Sequence, residues 1–198
     1  MTFIKFSEAE LIDLLWAWAA ISFAFAVLLG GGIRGLGEGF PERLILAAMT
    51  VGVAFLLHEL AHKFIAQKYG YWAEFRRFSF GLILAVFLSF FGFIFAAPGA
   101  VMIAGLASKE QNGKISVAGP LTNIILAGLF LLLGTFLAAF ELFTPLLQSI
   151  VGFGTMINAW LALFNMIPIP PLDGSKVISW SFPAWIGIVG VAVLILFI

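Results

Sequence analysis

The 198-residue chain is 63% hydrophobic and only 10% charged, its ten basic residues balancing its ten acidic ones. Soluble domains carry about 25% charged residues, so this composition excludes a water-soluble enzyme, while 23 Phe and 6 Trp exclude a disordered chain. Zero net charge leaves no basic footprint for nucleic acid, and the absence of cysteine removes disulfides and thiolate sites.

A membrane helix needs about 20 mostly apolar residues, and runs of that kind set the order of elements. The first, Leu11 to Leu29, follows the acidic residues Glu8, Glu10 and Asp13. That start is unlike a signal peptide, which opens on basic residues, so the segment reads as a retained span. A glycine-rich loop from Gly30 to Gly39 leads through Pro41-Glu42-Arg43 into a second span, Leu44 to Ile65. Further apolar runs cover Phe78 to Ala107, Pro120 to Phe140, Leu146 to Ile167 and Val177 to Ile198. Gly119 and Pro120 read as a helix start, where the missing proline N–H is harmless. Gly128, Gly134, Gly152 and Gly154 read as close-packing sites. No internal repeat and no soluble domain is visible.

The Phe78 to Ala107 stretch either crosses once or turns near Ala96-Ala97-Pro98-Gly99 and returns. Charge arbitrates between them. A single crossing divides the Lys and Arg residues five to five. A returning element leaves only Arg34 and Arg43 on one side and gathers Lys5, Lys63, Lys68, Arg76, Arg77, Lys109, Lys114 and Lys176 on the other. Cytoplasmic loops carry the Lys/Arg excess, so the expected topology is the returning one, with a cytoplasmic N-terminus. The polar run Ser108 to Lys114, with its Asn112-Gly113, reads as a hairpin tip. The expected fold is an all-α polytopic membrane protein of about five to six transmembrane helices, with a re-entrant or short β-hairpin element between the second span and the Pro120 span. Residues 1–198 form a single domain in this reading.

The chain has only two histidines, His58 and His62. Residues four apart share a helix face, so both imidazoles can reach one ion. With Glu59 between them they form HExxH, in which two His bind zinc and Glu handles the proton of a metal-bound water. A catalytic zinc takes three protein ligands. Without Cys or a third His, the last one must be a carboxylate. Asp13, Glu74, Glu141 and Asp173 are the candidates. Asp13 and Glu141 read as interfacial residues, and Glu74 as a partner for nearby arginines. Asp173 is favoured, because it follows the rigid Pro168-Ile169-Pro170-Pro171-Leu172 segment. Irregular backbone at membrane depth is tolerated only where it is buried in protein or lines a wet cavity. The returning topology also brings Asp173 to the same side as the histidines.

His58-Glu59-Leu60-Ala61-His62, then Gly119-Pro120-Leu121-Thr122-Asn123, then the Asn165 to Gly174 segment, occur in this order. Together they resemble the site-2 protease family of intramembrane zinc metalloproteases, over a core of about residues 44–176. The resemblance implies one catalytic zinc on His58, His62 and Asp173, with Glu59 as general base and acid. It implies a substrate or oxyanion role for Asn165. Asn123 has two readings, a polar substrate contact in the zinc cavity or a hydrogen-bonding glue between helices. The expected partners are transmembrane protein substrates within a lipid bilayer, cleaved in or beside their helices at a site opening to the cytoplasm. An extended substrate is expected to add to an edge strand of the Phe78 to Ala107 element or the hairpin after it. The competing class is a membrane metal transporter or scaffold without peptidase activity, which also wants intramembrane His and carboxylates. It has less use for Glu59 as an unligated neighbour, and transporters often carry internal repeats.

Overall fold

A computed structural model describes residues 4–94 and 98–197. Helix α1, Glu8–Leu29, starts where the Ser7 side chain accepts the Glu10 amide, with Glu8 and Glu10 in the first turn, an arrangement that suits the positive helix end. After a 3-10 turn at Gly32–Leu36 the chain enters α2, Phe40–Ala47, and α3, Val53–Lys68. The two are continuous through a wide π turn at Ala48–Gly52. The loosened backbone finds side-chain donors there. Trp18 Nε1 donates to the Ala48 carbonyl at 3.2 Å, and Thr50 Oγ1 to Leu46 at 2.5 Å.

Strand β1, Trp72–Arg77, pairs antiparallel with β2, Gly99–Ala104, in register Phe75 with Val101. Between them stands the short apolar helix α4, Ser79–Ser89. Both ends of the 78–98 stretch therefore meet in one sheet, so the segment leaves and comes back. This is the small β element expected between the second span and the Pro120 span. Of the turn expected near Ala96-Ala97-Pro98-Gly99, Ala96 and Ala97 lie outside the described residues, and Gly99 opens β2.

The hairpin tip expected at Ser108 to Lys114 is a helix start instead. Ser108 accepts the Gln111 amide while the Gln111 side chain reaches back to the Ser108 amide. This reciprocal capping box outweighs the turn preference of Asn112-Gly113. Helix α5 thus runs Lys109–Ala139, 31 residues, and Pro120 stands inside it rather than at its start. An interior proline removes one helix hydrogen bond, here to the Ser116 carbonyl.

Helix α6, Pro145–Asn165, is capped by Thr144 and has Pro145 at its first position. The final apolar run is not one span. It divides into α7, Asp173–Trp180, and α8, Phe182–Leu196, at an extended Ser181 whose hydroxyl caps the second piece. Among the described residues, four helices are long and apolar enough to cross a membrane: Glu8–Leu29, Phe40–Lys68, Lys109–Ala139 and Pro145–Asn165. With the shorter apolar α4 and α8, they make the chain a mostly helical polytopic fold. Helix α5 is central, packing on α3, α6 and α7. Leu14, Ile21, Val51, Phe75, Leu82 and Ile157 join α1, the π turn, β1, α4 and α6 in one apolar core. Of the four glycines read as close-packing sites, Gly134 lies against Val151 and Gly154 against Phe130. Gly128 and Gly152 face open space.

Candidate metal centre

Helix α3 turns His58 and His62 toward α5 and toward the start of α7. Their Nε2 atoms lie 3.0 Å apart. Asp173 Oδ2 stands 3.3 Å from the Nε2 of His58 and 3.1 Å from that of His62. Tetrahedral donors about 2.0–2.1 Å from a zinc ion lie about 3.3 Å from one another, so these three atoms are spaced as ligands of one ion. All three residues are buried or nearly so.

Backbone carbonyls decide which ring nitrogen stays free. His62 Nδ1 lies 2.8 Å from the Ile115 carbonyl, which only accepts, so Nδ1 carries the hydrogen. For His58 the same logic runs through two amides. Asn158 Nδ2 donates to the Gly154 carbonyl at 2.9 Å. That leaves Asn158 Oδ1 to accept Asn123 Nδ2 at 3.0 Å, and Asn123 Nδ2 also reaches the Ala54 carbonyl at 3.3 Å. Asn123 Oδ1 therefore faces His58 Nδ1, at 2.6 Å, as an acceptor. Both imidazoles keep an Nε2 lone pair aimed at Asp173. Such outer partners fix tautomer and ring orientation in metal sites.

Two glycines let the backbone come this close. A Cβ on Gly119 would lie 2.5 Å from both histidine Nε2 atoms. The space in front of the ligands is thus bounded by bare backbone of α5. Gly174 sits against the Met166 and Ile167 carbonyls, where a Cβ would clash, and this tight approach seats Asp173 at the first turn of α7. Trp185 Nε1 donates to the same Met166 carbonyl at 2.6 Å.

Glu59 is buried beside the pair, and its Oε2 accepts the Val101 amide of β2 at 3.0 Å. Asn123 is fully buried with its amide spent on His58, Ala54 and Asn158, the arrangement of a helix-joining residue. Asn165 closes α6 and its Nδ2 donates back to the Leu161 carbonyl at 2.9 Å. Among the other carboxylates, Asp13 pairs with Arg76 and Arg77, and Glu74 with Arg76.

Sequence reasoning passed over Asn158, Gly119 as a site residue, and the Val101 amide. A polar Asn158 within an apolar helix was a visible signal. Gly119 stands in the motif quoted above but reads there as a helix start, and the Val101 amide is a backbone group that no residue type announces.

A protein of Methanocaldococcus jannaschii named "Putative zinc metalloprotease MJ0611" is 42% identical over 193 residues, covering 93% of this chain and 91% of its own length. The chain belongs to this zinc metalloprotease family. A Bacillus subtilis member, "Putative zinc metalloprotease YwhC", is 33% identical over 152 residues, 68% of each chain. "Putative zinc metalloprotease Rip3" of Mycobacterium tuberculosis is 28% identical over 174 residues, 84% of this chain but 40% of its own length. No protein-family model matches the chain, and no solved structure matches it. Zinc in the relatives' names suits the donor set here, two neutral imidazoles and a carboxylate.

Proposed function

We propose that the chain is an intramembrane zinc endopeptidase of the site-2 protease type, hydrolysing peptide bonds within or beside transmembrane helices of membrane-protein substrates. The observation that carries this reading is the triangle of His58 Nε2, His62 Nε2 and Asp173 Oδ2, built beside Glu59 on a helix long enough to span a bilayer, with Asp173 brought to it by the short α7. A zinc ion held by His58, His62 and Asp173 would supply the Lewis acidity that activates a water and polarises a carbonyl.

The chain's own residues do the rest. Asn123 and Ile115 hold both imidazoles in the tautomer that offers Nε2. Glu59 takes the proton of the attacking water on its carboxylate and returns it to the leaving amine. The Val101 amide holds Glu59 Oε2, which leaves Oε1 as the oxygen for that proton. Gly119 keeps the space before the ligands clear of side chain. Membrane helices have their carbonyls internally bonded, so the scissile segment must be unwound. Strand β2 stands next to Glu59 and, among the described residues, pairs on one side only, which supports an extended substrate added along its other edge. The return of the 78–98 stretch into one sheet supports the topology with eight of the ten basic residues, the N-terminus and the site opening on the cytoplasmic side.

Glu59→Gln tests the reading. The variant should keep its zinc and lose cleavage of a transmembrane substrate in detergent or liposomes. Undiminished cleavage would overturn the Glu59 assignment. Metal flux across liposomes without cleavage would favour a transporter.

A further inference from the structure

Glu10 and Lys63 form a salt bridge with both side chains fully out of solvent. Glu10 sits in the first turn of α1, and Lys63 follows His62 on α3. Glu10 carries a second bond, its Oε1 accepting the Phe75 amide of β1 at 2.9 Å. The Phe6 ring covers the Lys63 ammonium at 4.2 Å.

Phe75 is the register partner of Val101. Their two amides point out of opposite edges of the sheet, as in a non-hydrogen-bonded antiparallel pair. One edge is met by Glu10 and the other by Glu59. Glu59 and Lys63 are four residues apart on α3 and so share a face. The contacts close into a ring: Lys63 to Glu10, Glu10 to Phe75, Phe75 across to Val101, Val101 to Glu59, and along α3 back to Lys63.

Burying an ion pair seldom stabilises more than an apolar pair of equal volume would. What this pair supplies is position. A two-stranded sheet is marginal alone, and among the described residues no third strand fixes its height against α3. We infer that Glu10 and Lys63 are positioning residues that lock the sheet to the HExxH helix and thereby hold the Val101 amide on the Glu59 carboxylate. The inference uses the reading of Glu59 as a base only for its effect on cleavage; its effect on the sheet stands apart from it.

The test is hydrogen exchange of the purified, zinc-loaded full chain, with cleavage kinetics alongside. Glu10→Gln with Lys63→Met removes both charges at similar volume and keeps an acceptor for the Phe75 amide. Exchange over 99–104 should quicken about tenfold, the worth of one lost hydrogen bond, while exchange over 145–165 and zinc content stay at wild type. The kcat should fall with KM unchanged. Lys63→Arg, which keeps the pair, should behave as wild type. A lowered Tm with unaltered exchange over 99–104 and unaltered kcat would overturn the proposal, because the pair would then only stabilise. If the double variant does not fold, Glu10→Asp decides. Its shorter arm keeps the charge but cannot serve both Lys63 and Phe75, so exchange over 99–104 should still quicken, and unchanged exchange overturns the proposal. A wild-type chain that cleaves nothing would remove the protease reading and leave the exchange result to decide this one.

Discussion

Asn123 Oδ1 accepts the Nδ1 hydrogen of His58 across 2.6 Å, although 65 residues separate them in sequence. The bond lies within a directed chain that ends on the Gly154 carbonyl. The orientation of a proposed zinc ligand on α3 is thereby set by an acceptor on α6, through α5.

Asn123→Ala should weaken zinc retention about 10- to 100-fold, the usual cost of losing an outer partner of a histidine ligand. Competition with a chelator measures it. Asn158→Leu should weaken retention in the same direction but less, since Asn123 keeps the Ala54 carbonyl. Equal zinc retention in wild type and Asn123→Ala would remove Asn123 from the site.

Gly119→Ala places a methyl group 2.5 Å from both Nε2 atoms. The chain should fold, yet bind less than stoichiometric zinc by metal analysis. Gly128→Ala on the same helix meets nothing within 4 Å and should bind zinc normally. Its helix propensity rises, because alanine restricts the unfolded chain more than glycine does. Full zinc occupancy in Gly119→Ala would contradict the geometry.

Asp173→Ala should lose most of its zinc, whereas Asp13→Ala, whose carboxylate is engaged by Arg76 and Arg77, should keep it. Unchanged stoichiometry in Asp173→Ala would eliminate that residue as a ligand.

Ser108→Ala removes the side-chain acceptor of the α5 capping box. It should cost about 1 kcal/mol, read as a lower Tm with zinc content retained. The same boundary reports topology. A cysteine replacing Lys109 should be labelled from the cytoplasmic face, and labelling only from outside would reverse the proposed orientation.

The helix order and the His58-Glu59-His62 cluster were legible because each rests on a strong local signal, apolar run length or a fixed four-residue spacing. Asp173 was legible through its proline-rich approach. The start of α5 was misread because Asn112-Gly113 and Ser108-Gln111 give opposite local instructions, and only the capped helix finds tertiary partners on α3 and α6. Pro120 was misplaced for the same reason, since its position in the helix depends on where the helix begins. The break at Ser181 hides within a continuous apolar run. The ring through Glu10, Phe75 and Val101 was out of reach, because two of its members contribute only backbone amides.

The π turn at Ala48–Gly52 bears on how the second long helix should be read. A turn closed one residue later than usual shifts everything after it by about 100° of rotation, the share of one residue at 3.6 per turn. The helix therefore has two phases. A wheel drawn from Phe40 onward points the wrong way by the time it reaches His58. Trp18 and Ser22 press against Gly52 where the phase changes. Removing a single residue from this turn would swing His58 and His62 away from Asp173 while leaving every ligand in the sequence intact.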